Sequence, residues 1–334
     1  MSDQVYVLNT YPLTDAQVAA LRAVSPRLVI EHRPDSDPEA EGHPHAEVLF
    51  CDTLLNDLSR WPRLKWMQIS AAGIEHLLAN PPWQRGVQVT TFSGVAAVAM
   101  AEFTITAILA WTRNLYILHG LHIARTWAPD RTALGGCVLR GKTLTIVGYG
   151  SVGRETARLA KPFGLRVLAV RNRPEAAEDT GYYEPGTGDP NGSLPDRVYP
   201  VAELHAALAE ADFVALSLPL TPQTRGMINA EALAVMKPTA YIVNVGRGAT
   251  IDDDALIAAL NRGQIGGACL DVFAQEPLPS SSPLYQVPNL VVTPHMSGVR
   301  YDYWDAAMPL FDANLRRYLA GEPLLNAVQP GMDY

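Results

Sequence analysis

Two α/β domains, each a doubly wound parallel sheet and one inserted into the other, are the fold class that this sequence predicts. Three observations predict it. Apolar, strand-like runs alternate with amphipathic helical stretches along most of the 334 residues, the pattern of parallel strands joined by helical crossovers. A glycine-rich turn, flanked by an apolar run and a helical stretch, lies in the middle of the chain at Thr143–Ala157 instead of at its start. The segment after Gly298 is too short for a third domain, so it is expected to return to the first.

Taken in order, Val5–Leu8, Leu28–Glu31, Val48–Cys51, Trp66–Ile69 and Val87–Thr90 read as strands, and Thr14–Val24 as an amphipathic helix. The apolar stretch Val95–Trp111 is interrupted by Glu102, Thr104 and Thr106. It falls short of the roughly 18 uncharged residues of a membrane span and reads as a buried helix. After the glycine turn, strands are expected at Arg166–Val170, Phe213–Leu218, Ala240–Val245, Ala268–Val272 and Leu290–Thr293, with helices such as Val201–Ala209 and Asp252–Asn261. Trp304–Leu319 places Ala307, Leu310, Phe311, Leu315 and Leu319 on a helix that would pack on the first domain. The domains are therefore expected at 1–105 with 299–334, and at 106–298, with crossings near Ala101–Leu118 and Val299–Leu315 and a cleft between them. Thr180–Pro195, rich in Gly and Pro, reads as a surface loop.

Composition narrows the function classes. A net charge of -8 without any block of Lys or Arg excludes a nucleic-acid footprint. Met1-Ser2-Asp3-Gln4 lacks the basic start of a signal peptide, so a cytoplasmic address is expected and no membrane partner. Cys51, Cys137 and Cys269 share no metal-like spacing and read as reduced thiols. His43 and His45 lie in an acidic, Pro-rich loop without partner ligands, so no metal site is expected. His119 and His122, one helical turn apart, read as a helix surface or a subunit contact.

The run Thr143-Leu144-Thr145-Ile146-Val147-Gly148-Tyr149-Gly150-Ser151-Val152-Gly153-Arg154 has the form of a dinucleotide-phosphate site. Gly148 permits the turn, Gly150 lets backbone approach a pyrophosphate, and Gly153 packs helix on strand, while the helix N-terminus offers N–H groups to the anion. An acidic residue that would bind the ribose 2′-hydroxyl is expected about 20 residues on. The chain has Val170-Arg171-Asn172-Arg173 there. Two arginines attract the 2′-phosphate of NADPH, so NADPH or NADP is the expected cofactor. NAD stays open, because one arginine can instead stack on adenine or face solvent.

Polar residues just past strand ends are where an open parallel sheet binds its ligands. Three consecutive strands supply Gly246-Arg247-Gly248, then Asp271 with Glu276-Pro277, then Pro294-His295. Singly, each has a structural reading: a satisfied histidine, a solvated Glu beside Pro, an exposed Arg. Together they suit reduction of a 2-keto acid, in which a carbonyl carbon receives hydride and its oxygen a proton. His295 is the proton donor, Glu276 would orient the ring and stabilise its positive charge, and Arg247 would grip a carboxylate and polarise the carbonyl. Asp271 reads either as a core cap or as a contact to the nicotinamide amide.

With Leu218-Pro219-Leu220-Thr221-Pro222-Gln223-Thr224-Arg225-Gly226, Asn244-Val245-Gly246-Arg247-Gly248, Asp271-Val272-Phe273 and Thr293-Pro294-His295, the sequence resembles the D-isomer-specific 2-hydroxyacid dehydrogenases over nearly its whole length. The resemblance implies a Rossmann cofactor domain inserted into a flavodoxin-like substrate domain, with Arg247, Glu276 and His295 catalytic. Together with the arginines that depart from the family's acidic residue, cofactor contacts are expected at Gly148, Tyr149, Gly150, Ser151, Val152, Gly153, Arg171, Asn172, Arg173, Leu218, Pro219, Thr224, Asn244, Val245, Gly246, Asp271, His295 and Gly298. For substrate the resemblance implies Arg247, His295, Leu54 and the loop Ala71-Ala72-Gly73, whose N–H groups would hold the carboxylate. A homodimer built on the cofactor domain is also implied, with an arm around Leu115–Trp127 and Trp127 reaching the partner's site, as in the glyoxylate/hydroxypyruvate reductase branch. Leu54, Leu55, Ala72, Met296, Tyr301 and Trp304 form a mostly apolar candidate pocket without a second cation, which points to small 2-keto acids of glyoxylate or hydroxypyruvate type. The alternatives are larger apolar 2-keto acids, or a nucleotide-sensing corepressor-like binding protein on the same fold.

Overall fold

The computed structural model describes residues 4–34, 36–128, 130–175, 177–179 and 181–329. In chain order the first elements are β1 (Val5–Asn9), α1 (Asp15–Ala23), β2 (Leu28–His32), α2 (Pro38–Glu41), β3 (Val48–Phe50), β4 (Trp66–Gln68), β5 (Gln88–Thr90), α3 (Ala97–Thr112) and α4 (Leu115–Ile123). There follow β6 (Thr143–Val147), α5 (Ser151–Ala160), β7 (Arg166–Arg171), β8 (Arg197–Pro200), α6 (Leu204–Glu210), β9 (Phe213–Leu216) and α7 (Ala230–Ala234). The last are β10 (Tyr241–Asn244), α8 (Asp253–Asn261), β11 (Gly267–Leu270), β12 (Leu290–Val292) and α9 (Tyr303–Ala320). The α/β class with two parallel sheets is as the sequence predicts. The chain forms two units, 1–96 with 181–184 and 300–334, and 97–180 with 185–299. The first division falls at Ala96/Ala97, ahead of the expected 105/106, because α3 is one unbroken helix that begins at Ala97.

The first unit carries a five-stranded parallel sheet in the order β2-β1-β3-β4-β5, the flavodoxin-like winding. Side-chain alternation divides its core. Val48, Phe50 and Trp66 point to the face covered by α9, against Leu310, Phe311 and Leu315, whereas Leu49 and Met67 point to the other. The Phe50 and Phe311 rings lie 4.3 Å apart; burying side chains of this size contributes about 1.5–3 kcal/mol each. α1 begins on a capping box, in which the Gln17 N–H donates to Thr14 Oγ1 and the Thr14 N–H to Gln17 Oε1.

The second unit carries a seven-stranded parallel sheet in the order β12-β11-β10-β9-β6-β7-β8. The order reverses between β6 and β9, the switch point of a Rossmann winding. α3 and α5 cover one face with Ile105, Ile108, Ala157 and Ala160, and α6, α7 and α8 cover the other with Leu208, Leu233 and Leu256. Periodicity alone gave no sign of β8. It is an edge strand that buries only Tyr199 fully and ends on a proline, a residue confined to edges because it cannot donate to a ladder.

Thr180 of the expected Gly/Pro loop lies outside the described residues. Gly181–Glu184 belongs to the first unit, where the Tyr182 N–H donates to Asn326 Oδ1 at 3.1 Å and Glu184 pairs with Arg300 at 2.7 Å. The remainder of the loop is fixed within the second unit. Tyr149 donates to Asp189 Oδ2 at 2.7 Å, buried Arg154 donates to the carbonyls of Ala177 and Asp189, and the Gly188 N–H donates to buried Glu155 at 2.6 Å.

Candidate active site

Strand register puts the expected residues in one row. Val292, Leu270, Asn244, Leu216, Val147 and Val170 stand level across β12, β11, β10, β9, β6 and β7. The loops that leave these positions therefore line the C-terminal edge in the same order. His295, the Asp271–Glu276 turn and Arg247 come from three neighbouring strands, followed by Leu218-Pro219, the glycine loop and Arg171.

The glycine loop has the stereochemistry its sequence requires. Gly148 sits at φ +98°, where a Cβ would also stand 2.9 Å from the Ser217 carbonyl oxygen. A Cβ at Gly153 would lie 2.3 Å from the Gly148 carbonyl, so only glycine lets α5 start this close to β6. The space beside Gly150 is open. Among the described residues, the N–H groups of Ser151, Val152 and Gly153 have no protein acceptor, as the first turn of a helix dictates. At the end of β7, Arg171 donates from Nη2 to the Pro174 carbonyl at 2.7 Å, but its Nε is buried without a partner. Burial first, then neighbouring Arg154, lowers the Arg171 pKa below the ordinary arginine value. Asn172 and Arg173 are exposed. Open space at Gly150, free helix N–H groups and an orphaned guanidinium nitrogen fit a phosphorylated dinucleotide.

The three catalytic candidates occupy turns held rigidly by the strands below. His295 Nδ1 lies 2.7 Å from Glu276 Oε2. A carboxylate only accepts, so Nδ1 carries the proton and Nε2 is left for chemistry. Glu276 is fixed in turn by the Phe273 N–H, which donates to Oε1 at 2.8 Å. His295 itself adopts φ +54°, uncommon for a residue with a side chain, with its N–H donating to the Asp271 carbonyl at 2.9 Å. Asp271 is fully buried, and its carboxylate accepts from Thr293 Oγ1 (2.6 Å), the Met296 N–H (2.8 Å) and the Ser297 N–H (2.7 Å). Its role in the structure is to shape the turn that presents His295. Arg247 is half-buried between two glycines with distinct duties. A Cβ at Gly246 would lie 2.7 Å from the Leu218 N and O atoms, and one at Gly248 would lie 2.0 Å from the Phe273 carbonyl carbon. Arg247 is thereby wedged between the Leu218 loop and the turn that carries Glu276.

Other expected residues have mainly local partners. Thr224 is buried and closes its own turn, donating to the Pro219 carbonyl at 2.7 Å and accepting the Thr221 N–H at 2.8 Å. Asn244 accepts the Gly246 N–H at 3.1 Å and donates to the Arg247 carbonyl at 3.1 Å. Val245 is buried, while Leu218, Pro219 and Gly298 are half-buried. In the first unit Leu55 is fully buried, so it belongs to the core and not to a pocket wall. Leu54 is half-buried, Met296 and Tyr301 are exposed, and Trp304 packs on Tyr11 at 4.7 Å. Within the expected carboxylate loop, the Ala71 N–H points to Asp52 Oδ1 at 3.4 Å, and the Ala72 and Gly73 N–H groups have no acceptor among the described residues. Sequence reading missed Asp52, Tyr11 and Ser70. Asp52 and Ser70 each lie just past a strand end, the same signal that marks Arg247 and His295 in the second unit.

Among the described residues no cluster of His, Cys, Asp and Glu can hold a metal, and no helix is long and apolar enough to cross a membrane. His43 is a core residue: its Nδ1 accepts the Ala46 N–H at 2.8 Å and its Nε2 meets Glu31 at 3.2 Å. Cys51 and Cys269 are buried free thiols, whereas Cys137 is exposed. His119 and His122 stack on the surface of α4, their rings 6.1 Å apart.

Residues 105–297 match the family model described as D-isomer specific 2-hydroxyacid dehydrogenase, NAD binding domain. A glyoxylate reductase of Thermofilum pendens is 35% identical over 266 residues, 78% of this chain and 74% of that protein. The crystal structure of a D-isomer specific 2-hydroxyacid dehydrogenase family protein from Aeromonas salmonicida superposes with TM-score 0.81 at 30% identity, covering 98% of this chain and 99% of that one. A D-isomer specific 2-hydroxyacid dehydrogenase from Xanthobacter autotrophicus, solved in complex with NADPH and MES, gives TM-score 0.78 at 28% identity over 99% of each chain. With its Rossmann loop and its Arg, Glu and His on adjoining strand ends, the chain belongs to the D-isomer-specific 2-hydroxyacid dehydrogenases, NAD(P)-dependent oxidoreductases acting on 2-keto and 2-hydroxy acids.

Proposed function

We propose that this dehydrogenase reduces a small monoanionic 2-keto acid of glyoxylate or hydroxypyruvate type to the D-2-hydroxy acid, with NADPH as preferred cofactor. The observation that carries the reaction is the His295–Glu276 pair, whose Nδ1 is committed to the carboxylate and whose Nε2 remains to donate a proton. When bound, NADPH supplies the hydride that the keto carbon accepts. Arg247 polarises the carbonyl, the Ala72 and Gly73 N–H groups hold the substrate carboxylate, and His295 delivers the proton that turns the carbonyl oxygen into a hydroxyl. The Thermofilum relative is named for glyoxylate reduction, and the pocket candidates offer no second cation for a larger anion.

The cofactor preference rests on Arg171 and Arg173, which stand where a ribose-binding acid would repel a 2′-phosphate. The test follows NADPH and NADH absorbance with a panel of 2-keto acids, on the wild type and on the double variant Arg171→Ala, Arg173→Ala. The wild type is expected to favour NADPH, and the variant to raise the NADPH KM about tenfold or more with little change for NADH. An unchanged cofactor ratio overturns the preference. Nucleotide binding with no turnover of any acid favours a sensor over an enzyme.

The second copy of this chain is the proposed partner of α4. None of its nine residues is buried, and Leu115, Ile117 and Ile123 stand exposed together with Trp127, 84% exposed just beyond it. An apolar face of this kind marks an interface, and the proposed homodimer covers it, with Trp127 reaching the partner's site. Light scattering is expected to give a dimer for the wild type and a monomer for the double variant Ile117→Glu, Ile123→Glu. A wild-type monomer at micromolar concentration removes the proposal.

A further inference from the structure

At the carboxyl edge of the first sheet, one residue is held from several elements. The sheet order reverses between β1 and β3, so the ligand crevice of this winding opens where those strands end. Tyr11 follows β1, Asp52 follows β3, and Ser70 follows β4. The Ser70 N–H is shared between Asp52 Oδ1 at 2.8 Å and the Tyr11 hydroxyl at 2.9 Å. The Ser70 hydroxyl donates to Asp52 Oδ2, and the Ser70 carbonyl accepts from the Tyr303 hydroxyl at 2.6 Å. Every polar group of Ser70 is thus used, and the unpartnered Ala72 and Gly73 N–H groups come directly afterwards. Burial first, then Asp52, keeps the Tyr11 phenol far above its ordinary pKa, so it remains a neutral hydroxyl. Among the described residues Asp52 has no cation within salt-bridge distance, so a net negative charge stands beside a loop that would bind an anion.

We propose that Asp52 is the positioning residue of the substrate loop: it fixes Ser70 so that the Ala72 and Gly73 N–H groups meet the substrate carboxylate. This rests on the assignment of that loop to the substrate carboxylate. Two consequences separate geometry from charge. Asp52→Ala releases Ser70 and loosens the loop. Asp52→Asn keeps an acceptor for the Ser70 N–H and a donor for its hydroxyl, but removes the charge.

The experiment measures NADPH-dependent kcat and KM for glyoxylate, together with calorimetric binding of oxamate to the NADP-loaded protein. For Asp52→Ala, the glyoxylate KM and the oxamate Kd are expected to rise together by about tenfold, a loss of the order of one or two hydrogen bonds, while kcat falls less. Tyr303→Phe should move both in the same direction by a smaller factor, without touching the charge. Asp52→Asn, which retains hydrogen bonds to Ser70, should leave the glyoxylate KM and the oxamate Kd within about threefold of the wild type. Unchanged KM and Kd in both Asp52→Ala and Tyr303→Phe overturn the positioning role. An Asp52→Asn variant as impaired as Asp52→Ala overturns it as well, since the conservative variant keeps the hydrogen bonds to Ser70. Should the wild type bind oxamate without reducing any keto acid, the proposed reaction fails while the binding arm still decides the role of Asp52. Should oxamate fail to bind the wild type, both fall.

Discussion

Replacing His295 with glutamine is expected to lower kcat for keto-acid reduction by about 10²- to 10⁴-fold, the usual worth of a positioned general acid. The magnitude follows from the local geometry. Glutamine can still fill the space, but it cannot give up a proton at a carbonyl oxygen that becomes strongly basic as hydride arrives. The loss is expected in kcat more than in cofactor affinity, because the glycine loop and Arg171 come from β6 and β7, well along the row from β12. Glu276→Gln is the paired control. Its single amide oxygen can accept from the Phe273 N–H or from the Nδ1 proton but not from both, as the two carboxylate oxygens do, and the charge that stabilises the imidazolium is gone, so a smaller fall of about 10- to 100-fold is expected. Steady-state kinetics with saturating NADPH decide the matter. A His295→Gln enzyme with undiminished kcat would mean that another group supplies the proton.

What the sequence displayed of this site, and what it concealed, divides along a physical line. Arg247, Glu276 and His295 each follow a strand of one sheet, and a parallel sheet delivers successive strand ends to one edge whatever the intervening loops do. Long apolar runs ending in Gly-Arg-Gly, Asp-Val-Phe and Pro-His were therefore readable without coordinates. Strand ends themselves were less readable. Phe213–Leu218 was expected to be a strand, but β9 stops at Leu216, because Ser217 turns to donate to the Gly148 carbonyl at 2.8 Å. Likewise β11 stops at Leu270, since Asp271 is drawn under the His295 turn by three hydrogen bonds. In both places a functional loop overrides the propensity of its residues.

The Ser70 cluster was hidden for another reason. Its members are 59 and 233 positions apart for Tyr11 and Tyr303, and although the return of α9 to the first domain was legible, no local pattern records that Tyr303 at its start meets the Ser70 carbonyl. Tyr11 and Tyr303 are apolar-looking residues at element boundaries, indistinguishable by periodicity from core aromatics such as Phe50 or Phe311. The glycines beside Arg247 show the reverse. They stand in the sequence as neighbours of a catalytic candidate, and the structure adds their close approach to protein. Gly246 and Gly248 are pressed against Leu218 and Phe273, so the residues on either side of Arg247 lock its backbone.

That locking makes Arg247 the second residue with a large expected effect. Arg247→Ala should reduce kcat/KM by about 10²- to 10³-fold, comparable with removing a donor from an oxyanion site. The fold should barely register it. The Arg247 carbonyl accepts from Thr250 Oγ1 (2.7 Å), Asn244 Nδ2 (3.1 Å) and the Thr250 N–H (3.2 Å), all of which the alanine keeps, whereas the contact of Nη1 to the neighbouring Gly246 carbonyl at 3.0 Å is lost, and Tm should stay within about 2–3 °C. Arg247→Lys distinguishes charge from shape. A lysine keeps the positive charge but loses the planar fork that grips a carboxylate and a carbonyl together, so it should recover only part of the lost kcat/KM. Guanidinium added to Arg247→Ala should restore some rate, since a fixed backbone leaves a vacated space of the right shape. Full activity in Arg247→Lys would show that this position supplies only a field, whereas full activity in Arg247→Ala would remove it from the reaction.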